Sequence, residues 1–473
     1  MRIKLGIPIC LSSLIESCNI EILPPYETTH PFPSRDSYAE NESFLDNAII
    51  EYITTDSREV FPSDLFISLV DCEISAEDHM NEARAKGAFA LRSRGSIASE
   101  LSPLEKIAGY YREAHPRLKE IIAITGSAGK TTTKRFTEAL LSSAYATHAT
   151  VGNLNNEIGM PLTILEAPTD TEVLILEMGM NNPSEISRLS RTAKPSIGAI
   201  TSIGSAHIGK LGSKEAIAKA KLEIVDGIID GGCLITRKTD YLKPNPGKNI
   251  NEYTYSYDKE DADACLTPAD SGNYIFTING RTVSLSFFSD TPQILEDLAL
   301  ALSIAYHAGL SPEAMGEAVK HIDESMLRYS ISKIGDTTLI DDAYNSSLDS
   351  VKAALAVLSR EECAIRSALV GDILEAGEFS EEIHYILGCM LAESVRKLYI
   401  VGKMSAWVKR GAIDSGLSAK SIFIIKRSDN ISSIVGEVHS LVEKGECILI
   451  KASHGIGLYK FKEEYERLIN HAE

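Results

Sequence analysis

Residues 124–132 read Ile-Thr-Gly-Ser-Ala-Gly-Lys-Thr-Thr, after an apolar run and before a helix-like one. That context suits a phosphate. Backbone N–H groups of a glycine loop and the N-terminus of the next helix supply positive potential for an anion. The candidate nucleotide contacts are Gly126, Ser127, Gly129, Lys130, Thr131 and Thr132. Lys130 is expected against the β- and γ-phosphates, and the Thr131 hydroxyl on Mg2+. The common form of such loops has a further glycine five residues before the Gly-Lys pair; here Ile124 stands in that place. A plain strand–helix turn is the competing reading, because G-K-T triplets arise by chance. The conjunction of strand, glycines, lysine, threonines and helix favours the nucleotide.

The surrounding elements must position these groups. "EIIAIT" reads as a buried strand into the loop, and "KTTTKRFTEALLSSA" as its helix. "TEVLILEMG" is a second buried strand, "NPSEISRLSR" a helix and "SIGAITSI" a third strand. This alternation predicts a parallel sheet covered by helices. Ligands bind at the carboxyl ends of such strands, where Glu177 and His207 fall. From about 252 to 290 the pattern alternates with period two, and Asn279-Gly280 predicts a hairpin turn. The first block contains a loop rich in Pro, Ser and charge at about 23–44. A strand "DLFISLV", a helix "SAEDHMNEARAKGA" and a strand "FALRS" follow it. After Met326 the strand–helix alternation returns. The predicted fold class is α/β in three domains: residues 1–115, a central P-loop parallel-sheet ATPase domain over 116–325, and a C-terminal Rossmann-like domain over 326–473. A chain of 473 residues fits about three domains of roughly 150 residues each.

Composition narrows the class further. The chain is 44% hydrophobic and 24% charged with a net charge of -19. Enough apolar residues are present for cores, and so acidic a protein is a poor general binder of nucleic acid. The eight cysteines are scattered with no C-x-x-C pair, as expected of reduced thiols in a cytoplasmic protein. No run of 18 apolar residues predicts a membrane span. The first apolar run is broken by Pro8, Ser12 and Ser13, so no signal peptide is expected.

The shortened loop has the form T-G-[ST]-x-G-K-T-[ST], and in that form it resembles the Mur ligases of cell-wall synthesis. The resemblance runs in order over nearly the whole chain. It includes "TTDSR" (54–58), "NLNNEIGMPLTIL" (153–165), "LEMGMNNPSEISRLSRTAKPSIGAITSIGSAHI" (176–208), "LGSKEAIAKAKLEI" (211–224), "LIDDAYNSSLDSVKAAL" (339–355) and "VGDILEAGEFSEEIHYILG" (370–388). Most of these segments are similar to the member that adds D-alanyl-D-alanine to a UDP-linked muramoyl tripeptide. The resemblance implies an ATP-dependent amide ligase working through an acyl phosphate and acting as a monomer on small molecules. It implies Lys130, Glu177, His207 and Lys221 as catalytic residues. Thr131, Glu177, His207 and a carbamylated Lys221 would hold two Mg2+ ions. Asn153, Asn156 and Glu157 would lie near substrate; a turn and helix cap is the alternative for them. Arg328, Asp342, Tyr344 and Asn345 would reach the nucleotide from a closing third domain. Thr55, Asp56, Ser57 and Arg58 would meet the uridine end of the substrate. Asp372, Glu375 and His384 also match family positions, with packing or capping as equal alternatives.

The sequence also departs from the family pattern. Where H-N-x-x-N is usual, Gln293, Ile294 and Asp297 stand, the last at the position that faces adenine. K-G-S-R becomes Lys451-Ala452-Ser453-His454, which trades a permanent forked cation for an imidazole; Ser453 and His454 are both expected substrate contacts. A-H-L-E becomes Ala206-His207-Ile208-Gly209, and D-G-H-D-F becomes Ser75-Ala76-Glu77-Asp78-His79. Two alternatives therefore stand beside the leading reading. One is a paralogue with the same chemistry on another carboxylate and amine. The other is a non-catalytic nucleotide-binding homologue.

Overall fold

A computed structural model describes residues 1–26, 48–69, 73–92, 101–204, 208–238, 247–258, 261–270, 272–426 and 430–472. His207 and most of the loop at about 23–44 lie outside them.

Three sheets organise the described residues. The first has five strands in the spatial order Arg2–Cys10, Ile49–Thr54, Leu65–Ser68, Phe89–Arg92, Ile22–Leu23. Its core does not end at its own edge. Ile3, Leu5, Leu11 and Leu14 pack in one cluster with Ile107 and Tyr111 of the helix Pro103–Ala114 and with Met160 and Leu165 of the central unit. Tyr111 Oη donates to the Ala167 carbonyl at 2.8 Å. Gly6 approaches that carbonyl so closely that a Cβ would stand 1.9 Å from its oxygen.

The central sheet has nine strands. Those from Thr147–Ala149 through Val173–Glu177, Glu120–Thr125, Ile197–Ile200, Cys233–Arg237 and Asn251–Tyr257 to Ala264–Pro268 pair in parallel. The strands Asn273–Ile278 and Arg281–Ser286 then close its edge as an antiparallel hairpin. Ile278 pairs with Arg281, leaving Asn279 (φ 48°) and Gly280 (φ 72°) as the two-residue turn the sequence predicts. The buried strands are runs of Ile, Leu and Val because helices cover both faces.

The third sheet has six strands in the order Ser330–Ile334, Thr337–Asp341, Glu446–Lys451, Ile365–Gly371, Lys397–Val401, Ile422–Ile425, parallel except for the first pair. Between the central and third sheets lies a cleft of about 1320 Å³, open to solvent. Among the described residues no helix is long and apolar enough to cross a membrane, and the cysteines are free thiols.

Candidate active site

The central strand Glu120–Thr125 ends at the loop, and the helix Lys130–Leu141 begins immediately after it. Gly129 turns the chain at φ 83°, and its missing Cβ leaves room for Asp297, whose Oδ1 would stand 2.1 Å from a Cβ there. The helix has no side-chain N-cap, so its first N–H groups remain for an anion. The neighbouring strand end holds the loop in shape. Ser127 N donates to Ser202 O at 2.9 Å, Ala128 N donates to Ser202 Oγ at 3.1 Å, and Thr201 Oγ1 donates to Ala128 O.

Lys130 lies over the loop, with Nζ donating to Gly126 O at 2.8 Å. Burial lowers its pKa and the Arg328 charge adds to that, while Glu177 opposes it. This cation is held where an anion would relieve it. Thr131 Oγ1 donates to Glu177 Oε2 at 2.7 Å, and Asn155 Nδ2 donates to Glu177 Oε1 at 2.8 Å. Glu177 is fully buried at the end of its strand. A buried carboxylate costs several kcal/mol unless compensated, so hydroxyl, carboxylate and nearby cations together make a charged centre. Lys134, one helical turn after Lys130, is also buried and donates to the Thr150 carbonyl. Thr150 Oγ1 in turn accepts from Glu177 N at 3.0 Å.

Lys221 ends the helix Lys214–Leu222 and is 0% exposed. Its Nζ has no hydrogen-bond partner. Burial holds its pKa well below the ordinary lysine value, and the charge of Lys130 pushes the same way. Burial of an unpaired nitrogen favours its neutral form, so this is not a solvated helix lysine.

The third unit supplies the opposite wall. Arg328 Nη2 donates to Thr131 Oγ1, and its guanidinium lies 4.5 Å from the centre of the Tyr344 ring. Asp342 pairs with Lys451 at 2.8 Å, and Lys451 Nζ also donates to Asn345 O at 2.6 Å. Thr132, Asp297, Arg328, Asp342, Tyr344 and Asn345 all line the cleft with Ser127, Gly129 and Lys130. His454 is exposed, stacked on Tyr459 at 4.5 Å and 5.3 Å from the Tyr344 ring centre.

Several other residues singled out in the sequence hold local hydrogen bonds. Asn156 Oδ1 accepts from Ile158 N at 3.2 Å and Gly159 N at 2.8 Å, which starts the next helix. Asn153 and Glu157 are exposed beside it. Ser453 Oγ accepts from Leu374 N at 3.0 Å. His384 Nε2 accepts from Ile373 N at 2.9 Å, and Asp372 accepts from Lys403 N and Met404 N at 2.8 and 3.0 Å. In the first unit, Thr55 precedes a local ion pair of Asp56 with Arg58 at 2.7 Å. Ser57 Oγ donates to Glu82 Oε2 at 2.7 Å and lies 3.2 Å from His79 Nδ1. Sequence reading missed Asn155 and Lys451 as site groups. Nothing local separates Asn155 from its neighbouring asparagines, and Lys451 meets Asp342 only through sheet pairing.

Asp297 is 5% exposed. Burial raises its pKa well above the carboxylate range, with Glu296 adding to the effect and Gln293 and Thr133 opposing it. The raised folded-state value means the native protein binds a proton that the unfolded chain has lost. Its stabilising effect is therefore complete below the ordinary carboxyl value of about 3.9 and is lost as pH rises through the raised value. Asp297→Asn is expected to flatten that decline. Melting temperatures of both proteins from about pH 5 to about pH 9 check this.

Comparison with known proteins agrees with the geometry. The Mur ligase middle domain pattern matches residues 124–288. The chain is 31% identical over 437 residues to the UDP-N-acetylmuramoyl-tripeptide--D-alanyl-D-alanine ligase of Bacillus subtilis, covering 87% of this chain and 92% of that one. It is 29% identical over 375 residues to the enzyme of that name from Escherichia coli, covering 75% and 82%. Among solved structures, MurF from Acinetobacter baumannii superposes with a TM-score of 0.79 at 22% identity over 98% of this chain and 100% of that one. The MurF ligase from Thermotoga maritima in complex with ADP superposes with a TM-score of 0.73 at 25% identity, covering 89% and 98%. With a relative so similar along nearly its full length, and with the loop, strand order and cleft arranged as described, the chain belongs to the Mur ligase family of ATP-dependent ligases.

Proposed function

We propose that this protein joins D-alanyl-D-alanine to UDP-N-acetylmuramoyl-tripeptide in peptidoglycan synthesis, acting as a monomer in the cytoplasm. The observation that carries this reading is the cleft itself. A phosphate loop with an uncapped helix faces a third-unit wall of Arg328 and Lys451 across it, and Glu177 is buried behind the loop against Thr131. The relatives bearing that enzyme's name match most of the chain.

In the proposed reaction a carboxylate oxygen of the peptide attacks the γ-phosphate of ATP, and ADP leaves. The amine nitrogen then attacks the acyl carbon and phosphate leaves. Both reactants of the first step are anions, so cations must bring them together. Lys130, Arg328 and the helix N–H groups do this. Closure of the third unit over the cleft, which is open here, would exclude water from the acyl phosphate. The residues fit a divalent cation: the Thr131 hydroxyl and Glu177 carboxylate converge, and the orphaned Lys221 nitrogen is suited to become a carbamate. Mg2+, held by these groups with His207, would neutralise phosphate charge when bound. Asn155 orients Glu177, and Asp297, beside Gly129 in the cleft, would face a bound nucleotide.

The test is phosphate release with each of Mg2+, ATP, peptide and dipeptide omitted in turn. Release is expected only with all four. Release that continues without the dipeptide would mean that water takes the phosphoryl or acyl group, against a ligase that needs this amine. His454, next to the cleft-lining Tyr344, offers no forked cation. His454→Arg is expected to lower the dipeptide KM about fivefold, the scale of an exposed charge contact; steady-state kinetics checks it.

A further inference from the structure

We infer that Lys134 is a positioning residue of the metal centre, acting through Thr150 to set where Glu177 holds its carboxylate. This rests on the ligase reading above, in which Thr131 and Glu177 take Mg2+. Lys134 lies in the second turn of the helix Lys130–Leu141 and is 4% exposed. Its Nζ donates to the carbonyl of Thr150. Taking an ammonium out of water onto a neutral carbonyl is costly. A methionine would fill the same place on the helix without that cost, so the lysine needs a reason.

The reason lies in what Thr150 holds. Thr150 is 1% exposed and directly follows the strand Thr147–Ala149. Its N–H donates to Ile175 O at 3.0 Å, which extends the parallel ladder to the strand Val173–Glu177. In such a ladder Glu177 N would next take the Thr150 carbonyl. Here it donates to Thr150 Oγ1 at 3.0 Å, and the carbonyl takes Lys134 instead. The chain then folds back. Asn155 Nδ2 donates to Glu177 Oε1 at 2.8 Å, and Gly179 N donates to Asn155 O at 2.8 Å. A Cβ on Gly179 would stand 2.8 Å from Asn155 Oδ1, so this approach needs the glycine.

Residues 150–155 therefore hold Glu177 at its amide and at its carboxylate. Lys134 ties the start of that segment to the phosphate-loop helix. One turn earlier the same helix touches Glu177 directly, where Thr131 Oγ1 donates to Oε2 at 2.7 Å. Two attachments fix the rotation of the helix against the strand end. The hydroxyl and carboxylate that would take the metal ion stay converged. Glu177 also favours the charge of Lys134, so a lysine serving only as its counter-charge is the competing role.

Lys134→Met removes donor and charge, Thr150→Val removes only the hydroxyl, and Thr150→Ser keeps both. In the full chain loaded with ADP, Mn2+ binding is read from the EPR signal of the free ion. Melting temperature and ADP affinity in chelator are measured beside it. Lys134→Met and Thr150→Val are each expected to weaken Mn2+ binding about tenfold or more, the scale of a group that orients a metal ligand. Thr150→Ser should stay within about twofold of wild type. The double variant should bind Mn2+ about as weakly as the worse single one, because both act along one path. The melting temperature of Lys134→Met should not fall, since an apolar side chain replaces a buried ammonium. Wild-type Mn2+ binding in Thr150→Val would leave Lys134 a counter-charge and overturn the proposal. Unchanged binding in Lys134→Met, losses that multiply in the double variant, or an equal loss of ADP affinity in chelator would each overturn it too. The ligase reading fails by a different result: wild type that makes no peptide bond, whatever these variants do to Mn2+ binding.

Discussion

Lys130→Ala is expected to abolish turnover, with a loss of about a thousandfold or more. Lys130 is the one loop side chain whose charge lies over the phosphate position, with its ammonium on Gly126 O at 2.8 Å. Burial and Arg328 both act against its charge. The protein maintains a cation there at a cost that an anion would remove. Taking the side chain away relieves that cost, so the fold should keep its melting temperature while Mg·ADP affinity collapses. Calorimetric titration with ADP and steady-state turnover measure the two effects separately. A variant that still turns over at the wild-type rate would overturn the role given to Lys130, and wild type that binds ADP without any turnover would support the non-catalytic alternative.

Lys221 should show the opposite signs for stability and function. Its nitrogen is fully buried and unpartnered. Replacing such a group with an apolar side chain of similar volume stabilises a fold, here by about 1–3 kcal/mol. Lys221→Met is therefore expected to melt higher than wild type and to be inactive. The proposed reason for the inactivity is chemical. A neutral amine attacks CO2 at carbon, forms a carbamate and releases a proton, and the product is an anion able to hold a metal ion. Lys221→Arg keeps a cation but cannot form that carbamate, so it should be equally inactive. Turnover of wild type should fall in CO2-depleted buffer and return with bicarbonate. A lowered melting temperature in Lys221→Met, or an active arginine variant, would show that the lysine acts as a structural cation.

What the sequence made legible was local. The loop of residues 124–132 declares itself because glycine, lysine and threonine act through adjacent backbone. Asn279-Gly280 declares a turn because both positions need positive φ, as found. Glu177 was visible because a run of apolar residues ends on an acid. The parallel sheet followed from alternation alone, and the nine-stranded order shows how far that alternation carries. Long-range pairings stayed hidden. Lys451 and Asp342 meet because their strands pair, 109 residues apart. The first unit reads as separate, yet Gly6 and Tyr111 bind it to Ala167 in one continuous core. Asn155, between two asparagines that attracted notice first, is the one that touches Glu177. Ser453, expected at the substrate, spends its hydroxyl on the Leu374 amide. Such assignments need three-dimensional positions, because residue type is the same in either role.

The central claim is that this cleft activates a carboxylate as an acyl phosphate. It is tested most directly by labelling the terminal carboxylate of UDP-N-acetylmuramoyl-tripeptide with oxygen-18 and supplying Mg2+, ATP and D-alanyl-D-alanine. The account predicts pentapeptide product by mass, with one carboxylate oxygen transferred into the phosphate released for each peptide bond made. Product formed alongside unlabelled phosphate, or labelled substrate left untouched by protein that binds ADP, would contradict it.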